Sequence, residues 1–190
     1  MNNMKWITLQ ANWIGYYEDV VSDELCDKIM HYSDNVKQLQ KSTYSTSTGK
    51  SDRSDERVKM DDGWFRNGEQ YYNEIKDCFM VALKKYQEKH HDCLCQRYTD
   101  FRLNKYSKGG FMSRHIDNIH HSHGQTYGYP QLTALLMLND DYEGGNFLIA
   151  ENEYQTAKGS AIVFPSNFMF PHAVKKVEKG TRYSIVTWLM

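Results

Sequence analysis

The sequence predicts an α+β fold, with helices in its first half and a strand-rich core in its second. Three observations carry this expectation. An apolar stripe at helical spacing, Tyr72, Ile75, Phe79, Leu83 and Tyr86, runs through residues 69–90. From Asp100 onward the texture changes to short segments of period-two alternation separated by turn residues. The helical patterning precedes the strands instead of alternating with them, which argues against a parallel α/β sheet.

Taken in order, Ser22 followed by Asp23 and Glu24 offers a capping hydroxyl and two acids for a first turn, so a short helix is expected over "LCDKIMHY". Residues 40–64 are rich in Ser, Thr, Asp and Lys and almost devoid of aliphatics. Such a stretch is expected to form a long surface loop or hairpin finger, either a disordered insertion or a lid that grips substrate. The striped helix is expected to begin near Asn67. "HHDCLC", residues 90–95, reads as that helix's end running into a strand, because one residue between two cysteines is fewer than zinc knuckles use.

Six segments then read as strands: "DFRLNKYS", "LTALLMLN", "NFLIA", "YQTA", "SAIVFPS" and "RYSIVTWLM". The separators "KGG", "DDYEGG", "AKGS" and "EKGT" are turn sequences. Their spacing suits a sandwich or barrel, with helices supporting one face. We read residues 1–190 as one domain, with helical support over about 15–92 and a β core over about 98–190.

The 23 Lys and Arg residues nearly balance 24 Asp and Glu, so no global field draws the chain to nucleic acid or an anionic membrane. The opening "MNNMKWITLQ" lacks a basic segment followed by an apolar run, and no apolar run reaches about 18 residues, so a cytoplasmic protein is expected. Four cysteines are too few for a disulfide scaffold, and free thiols are expected.

"SRHIDNIHHSHG", residues 113–124, carries four histidines and an aspartate. In an extended segment His115 and Asp117 project to one side and can grip one ion together, and His121 and His123 form a second such pair. His172, in "FPHAV" after an apolar strand and 55 residues beyond Asp117, supplies a third ligand to the first pair. Two histidines and a carboxylate on a β framework make the facial triad that suits non-haem Fe(II). Arg182 opens the last strand and shares a face with Ser184, Val186 and Trp188. A guanidinium inside a barrel beside a metal points to an organic-acid cosubstrate; its alternative is a surface charge pairing with Glu178. Arg102, Asn104 and Tyr106 form a polar strand face opposite Phe101 and Leu103.

"YSKGGFMSRHIDN", "LTALLMLNDDYEGGNFLIA", "KGSAIVFPSNFMFPHAV" and "KGTRYSIVTWL" together resemble the Fe(II)- and 2-oxoglutarate-dependent dioxygenases, most closely the prolyl 4-hydroxylase-like branch. The resemblance is dense over about residues 98–190 and implies a double-stranded β-helix, a jelly-roll or cupin-like barrel, with N-terminal supporting helices. It makes His115, Asp117 and His172 the iron ligands and Arg182 the partner of the distal carboxylate of 2-oxoglutarate. Tyr106 matches a tyrosine that reaches the same carboxylate, Thr133 and Leu135 line the cosubstrate pocket, and Asn118 or a backbone amide is expected to orient Asp117. Asn118's neighbours His120, His121 and His123 fall in the loop beyond the motif.

The implied reaction consumes O2 and 2-oxoglutarate, releases succinate and CO2, and hydroxylates a prolyl residue of a peptide or protein, with ascorbate as a reductant. Trp188 is expected to help wall the substrate pocket and the 40–64 segment to close over an extended chain. Two departures bear on substrate: collagen-type enzymes carry lysine where this chain has Arg182, and Met137 stands where the family often has a cosubstrate-contacting tyrosine. The alternatives are the same chemistry on a small molecule, sugar or other side chain, and a non-enzymatic β-barrel binding module.

Overall fold

The computed structural model describes residues 11–45, 51–52, 56–118 and 129–190. Strand β1 (Gly15–Tyr17) is followed by helix α1 (Asp23–Asn35). Short strands β2 (Gln40–Lys41), β3 (Tyr44–Ser45), β4 (Ser51–Asp52) and β5 (Val58–Lys59) lead to β6 (Asp61–Phe65) and helix α2 (Tyr72–Lys89). Then come β7 (Phe101–Tyr106), β8 (Phe111–His115), β9 (Leu132–Met137), β10 (Glu143–Gly144) and β11 (Phe147–Ile149). The chain continues through β12 (Asn152–Tyr154), β13 (Ala161–Pro165), β14 (His172–Val174), β15 (Val177–Lys179) and β16 (Arg182–Leu189).

Twelve of these strands form a seven-stranded sheet, β1-β13-β9-β16-β7-β6-β2, and a five-stranded sheet, β12-β11-β14-β8-β5, while β10 pairs with β15 and β3 with β4, antiparallel at every pairing. The architecture is an α+β double-stranded β-helix with flanking helices. Period-two alternation decides which residues meet which layer. Ala134, Leu136, Ala161, Val163, Leu103 and Ile185 point outward into one core with Ile29, Ile75, Phe79 and Tyr86 of the helices. Leu135, Met137, Ile162, Phe164 and Val186 point inward and pack against Phe147, Ile149, Val174 and Val177 from the facing side. Strands β9 and β16 are therefore buried on both faces, which explains their near-continuous apolar runs.

The helices hold the larger sheet in place. Ser22 caps α1 by accepting a hydrogen bond from the Leu25 amide. Asp34, near the other end of α1, accepts from the Tyr183 hydroxyl and pairs with Lys105, tying the helix to β16 and β7. Helix α2 starts at Tyr72, five residues later than its stripe and polar flank suggested, because Tyr71 adopts a left-handed conformation with φ 66° that cannot continue backwards as helix.

Two expectations are corrected. Residues 58–59 and 61–65 are strands, and Val58, Phe65 and the intervening Met60 enter the cores, because V-K-M-D alternates with period two although its surroundings are polar. The strand near "YQTA" is instead Asn152–Tyr154, and Thr156 lies in the following connection.

Candidate metal centre

His115 ends β8 and His172 begins β14, and the two are paired in register on neighbouring antiparallel strands. Directly opposed residues project to the same face, so the imidazole centroids lie 4.2 Å apart. Each ring is turned by a local carbonyl: His115 Nδ1 lies 2.8 Å from Ser113 O, and His172 Nδ1 lies 3.2 Å from Phe170 O. A proton on Nδ1 satisfies each carbonyl and leaves each Nε2 lone pair facing inward. Phe164 packs edge-on against His172, with Phe147 beyond, so the ring cannot swing.

Asp117, two residues past β8, completes the set. His115 Nε2 is 3.5 Å from Asp117 Oδ1 and His172 Nε2 is 3.3 Å from Asp117 Oδ2. One ligand atom from each residue lies within 4.8 Å of the other two, which makes this the metal-capable group of three found among the described residues. Burial alone would raise the Asp117 carboxyl, but the two histidines and the Thr133 hydroxyl outweigh it and hold it well below the usual carboxylate range. Burial and His172 together pull His115 down to about 4, against the opposing pull of Asp117. Near neutral pH both groups are therefore in their ligating forms.

The group that orients Asp117 is Thr133, not Asn118. Thr133 Oγ1 donates to Asp117 Oδ2 at 2.7 Å and lies 2.8 Å from Ser166 Oγ. Asn118 instead sends its amide side chain to Pro130 O and its backbone amide to Ser166 O. It thereby fixes the loop while Thr133 fixes the carboxylate. Ser166 continues the inward period of Ile162 and Phe164 past the end of β13, a pattern the sequence itself carries.

Along the inner face of the larger sheet, Arg182 lies opposite Tyr106, Ser184 opposite Asn104 and Met137, Val186 opposite Arg102 and Leu135, and Trp188 opposite Thr133. Arg182 thus sits at the far end of the same face that presents Thr133 to the metal group. It is 1% exposed and does not pair with Glu178. Its guanidinium donates to Ser184 Oγ at 3.0 Å and Met137 Sδ at 3.2 Å and sits 5.4 Å from the centre of the Tyr106 ring, while Nε is buried without a partner. No carboxylate among the described residues ion-pairs with it. Gly145, at φ 65°, makes room: a Cβ there would stand 3.3 Å from Arg182 Cδ. Burial raises the Tyr106 hydroxyl despite the opposing charges of Arg182 and Arg102, so it stays protonated as a donor.

Leu135 and Val186 lie between the arginine and the metal group, and Trp188 packs 6.1 Å from Trp64 beside it. His120, His121 and His123 lie outside the described residues. The Arg102–Asp62 pair with Ser42 on the same inner face was not anticipated. Asp62 comes from the segment whose strand character the polar composition concealed.

Residues 101–190 match the model of the 2OG-Fe(II) oxygenase superfamily. A PKHD-type hydroxylase from Stenotrophomonas maltophilia is 30% identical over 123 residues, covering 61% of this chain and 54% of that protein. Human prolyl 3-hydroxylase 2 is 38% identical over 69 residues, covering 33% of this chain and 10% of that protein. The chain thus spans about half of the first relative and a tenth of the second. In fold, a prolyl hydroxylase from Trichoplax adhaerens, solved with a hypoxia inducible factor peptide fragment, superposes with TM-score 0.71 at 18% identity, covering 99% of this chain and 88% of that one. The 2OG complex of a viral collagen prolyl hydroxylase from Paramecium Bursaria Chlorella virus-1 gives 0.70 at 16% identity, covering 93% and 95%.

Proposed function

From the match of residues 101–190 to the 2OG-Fe(II) oxygenase superfamily we propose that this chain is an Fe(II)- and 2-oxoglutarate-dependent hydroxylase of a prolyl residue in a peptide or protein. The observation that carries the reading is a fully buried arginine with no counter-anion among the described residues, on the same inner sheet face as Thr133, which holds the carboxylate of the metal-capable group. An uncompensated buried charge is costly enough that such a site is built for an anion.

The residues fit both groups. His115, Asp117 and His172 offer two nitrogens and an oxygen, the donor set of an open non-haem Fe(II) site. Arg182 would take the distal carboxylate of 2-oxoglutarate with Tyr106 as a second donor, and Leu135, Met137 and Val186 would flank its methylenes. Thr133 holds Asp117 in its ligating orientation and borders the cosubstrate pocket at its metal end. Trp188 forms the wall beside substrate. When bound, Fe(II) and 2-oxoglutarate supply the oxidative decarboxylation to succinate and CO2 that drives insertion of one oxygen atom of O2 into a C–H bond. The protein's share is the fixed donors, the carboxylate clamp and the buried rings of Phe147, Phe164 and Trp188 on the inner side of the sheets.

We take the helices and the β core as one catalytic domain, a reading supported by their shared core. No helix among the described residues is long and apolar enough to cross a membrane. We place the chain in the cytoplasm, a reading supported by its four free thiols.

Incubating the Fe(II)-loaded chain with 2-oxoglutarate and proline-containing peptides tests the proposal. Peptide-dependent succinate release matched by gain of one oxygen atom on the peptide is expected. Succinate release matched to oxygenation of a small molecule, with peptides inert, would move the substrate to the alternative class.

A further inference from the structure

Three polar side chains of β7, Arg102, Asn104 and Tyr106, lie on the inner face of the larger sheet, and the hydroxylase reading uses only Tyr106. We propose that the other two, Arg102 and Asn104, form a subsite that holds the main chain of an extended peptide substrate beside the metal group. The inference rests on the hydroxylase reading and deepens it.

Arg102 is fixed and only partly used. Its Nη2 donates to Asp62 Oδ2 at 2.7 Å and to Ser42 Oγ, with the arginine and aspartate side chains 16% and 7% exposed. Neither Nη1 nor Nε has a hydrogen-bond partner among the described residues. Asp62 already balances the charge, so the spare N–H groups favour a neutral acceptor such as an amide carbonyl over a second carboxylate. This distinguishes Arg102 from Arg182, whose charge is unmatched.

Asn104 supplies the opposite polarity. The residue is 5% exposed and its Oδ1 is buried without a donor, an arrangement that calls for an incoming N–H. Arg102 and Asn104 stand two residues apart on one strand face, about 7 Å at the usual strand rise. An extended peptide repeats its own backbone groups along one edge at the same two-residue interval, so one carbonyl and one amide can be met together.

The surroundings agree. Trp64 lies opposite Arg102 on β6, and Trp188 beside it comes from the strand position paired with Thr133, so an apolar wall flanks the subsite on its metal side. Val186, opposite Arg102 on β16, belongs to the inner core, which puts Arg102 on the same inward face. Ser42, the second anchor of Arg102, lies at the root of the segment carrying β3 and β4.

The test uses the full chain and a pool of synthetic decapeptides, each with one central proline, randomised elsewhere and capped at both ends. Three variants are compared with wild type: the double variant Arg102→Gln with Asp62→Asn, which removes both charges while conserving shape, Arg102→Lys, and Asn104→Leu. Hydroxylation kinetics are read by peptide mass, cosubstrate affinity by anaerobic 2-oxoglutarate titration, and folding by thermal melting. Each lost backbone hydrogen bond is expected to raise the peptide KM about tenfold while kcat and 2-oxoglutarate affinity hold within about twofold.

An unchanged peptide KM in all three folded variants overturns the subsite. A parallel loss of 2-oxoglutarate affinity also overturns it, by assigning Arg102 to the cosubstrate clamp. Wild type that binds 2-oxoglutarate but hydroxylates no capped peptide overturns the subsite and leaves the cosubstrate site standing, whereas wild type that binds no 2-oxoglutarate removes both.

Discussion

Thr133 Oγ1 donates to Asp117 Oδ2 at 2.7 Å, joining a strand of the larger sheet to the carboxylate carried beyond the smaller one. The metal group is therefore assembled by both sheets, although its histidines come from the smaller sheet alone.

Replacing Thr133 by Val keeps volume and removes the donor. Support of this kind is worth about 10–100-fold in metal affinity, so Thr133→Val is expected to weaken Fe(II) binding by that amount. Competition against a chelator reads the affinity. Ser166→Ala, which removes the hydroxyl that contacts Thr133, is expected to have a smaller effect. Equal affinity in wild type and Thr133→Val would show that the contact does not orient the ligand.

The attachment of α1 predicts a feature of alkaline stability. Burial, with Asp34 adding to it, pushes the Tyr183 hydroxyl up to about 12, against the opposing charge of Lys105. A raised folded-state value stabilises fully below the unfolded tyrosine range near 10 and is lost as pH climbs toward 12. Because its partner Asp34 is 41% exposed and screened by solvent, about 1 kcal/mol is expected from the contact. Tyr183→Phe should accordingly flatten denaturant stability between about pH 10 and 12 relative to wild type. A slope that persists in Tyr183→Phe would assign the alkaline loss elsewhere.

At Gly144, φ is 74° and an added Cβ would collide with the Lys176 carbonyl oxygen. The neighbouring Gly145 keeps clearance for the stem of Arg182, so strain here also reaches the clamp. Gly144→Ala is expected to cost about 1–3 kcal/mol in urea unfolding and to weaken 2-oxoglutarate binding. A variant as stable as wild type would mean the turn relaxes without strain.

The most regular parts of this molecule were legible before its shape was known. β9 and β16 announce themselves as long apolar strands, and the α2 stripe lists the residues that the helix buries. His115, Asp117 and His172 could be grouped because β-strand alternation and turn spacing are local rules. Thr133 as the support for Asp117 was not legible, because the contact depends on which strand meets which loop across the barrel. Val58 and Met60 were hidden by composition, since two inward residues among charged neighbours do not raise mean hydropathy. Asp62 was hidden with them, and so was the reason that Arg102 can be buried.

The central claim is that Arg182 waits for the carboxylate of a cosubstrate bound at the metal group. Anaerobic titration of 2-oxoglutarate into the Fe(II)-loaded chain, following the visible metal-to-ligand charge-transfer band, tests it most directly with Arg182→Met in parallel. The account predicts a saturable band in wild type and, because a buried charged contact is worth about 2–5 kcal/mol, at least about thirtyfold weaker binding in the variant. A band that saturates equally in both, or no band in wild type that retains its iron, would contradict the account.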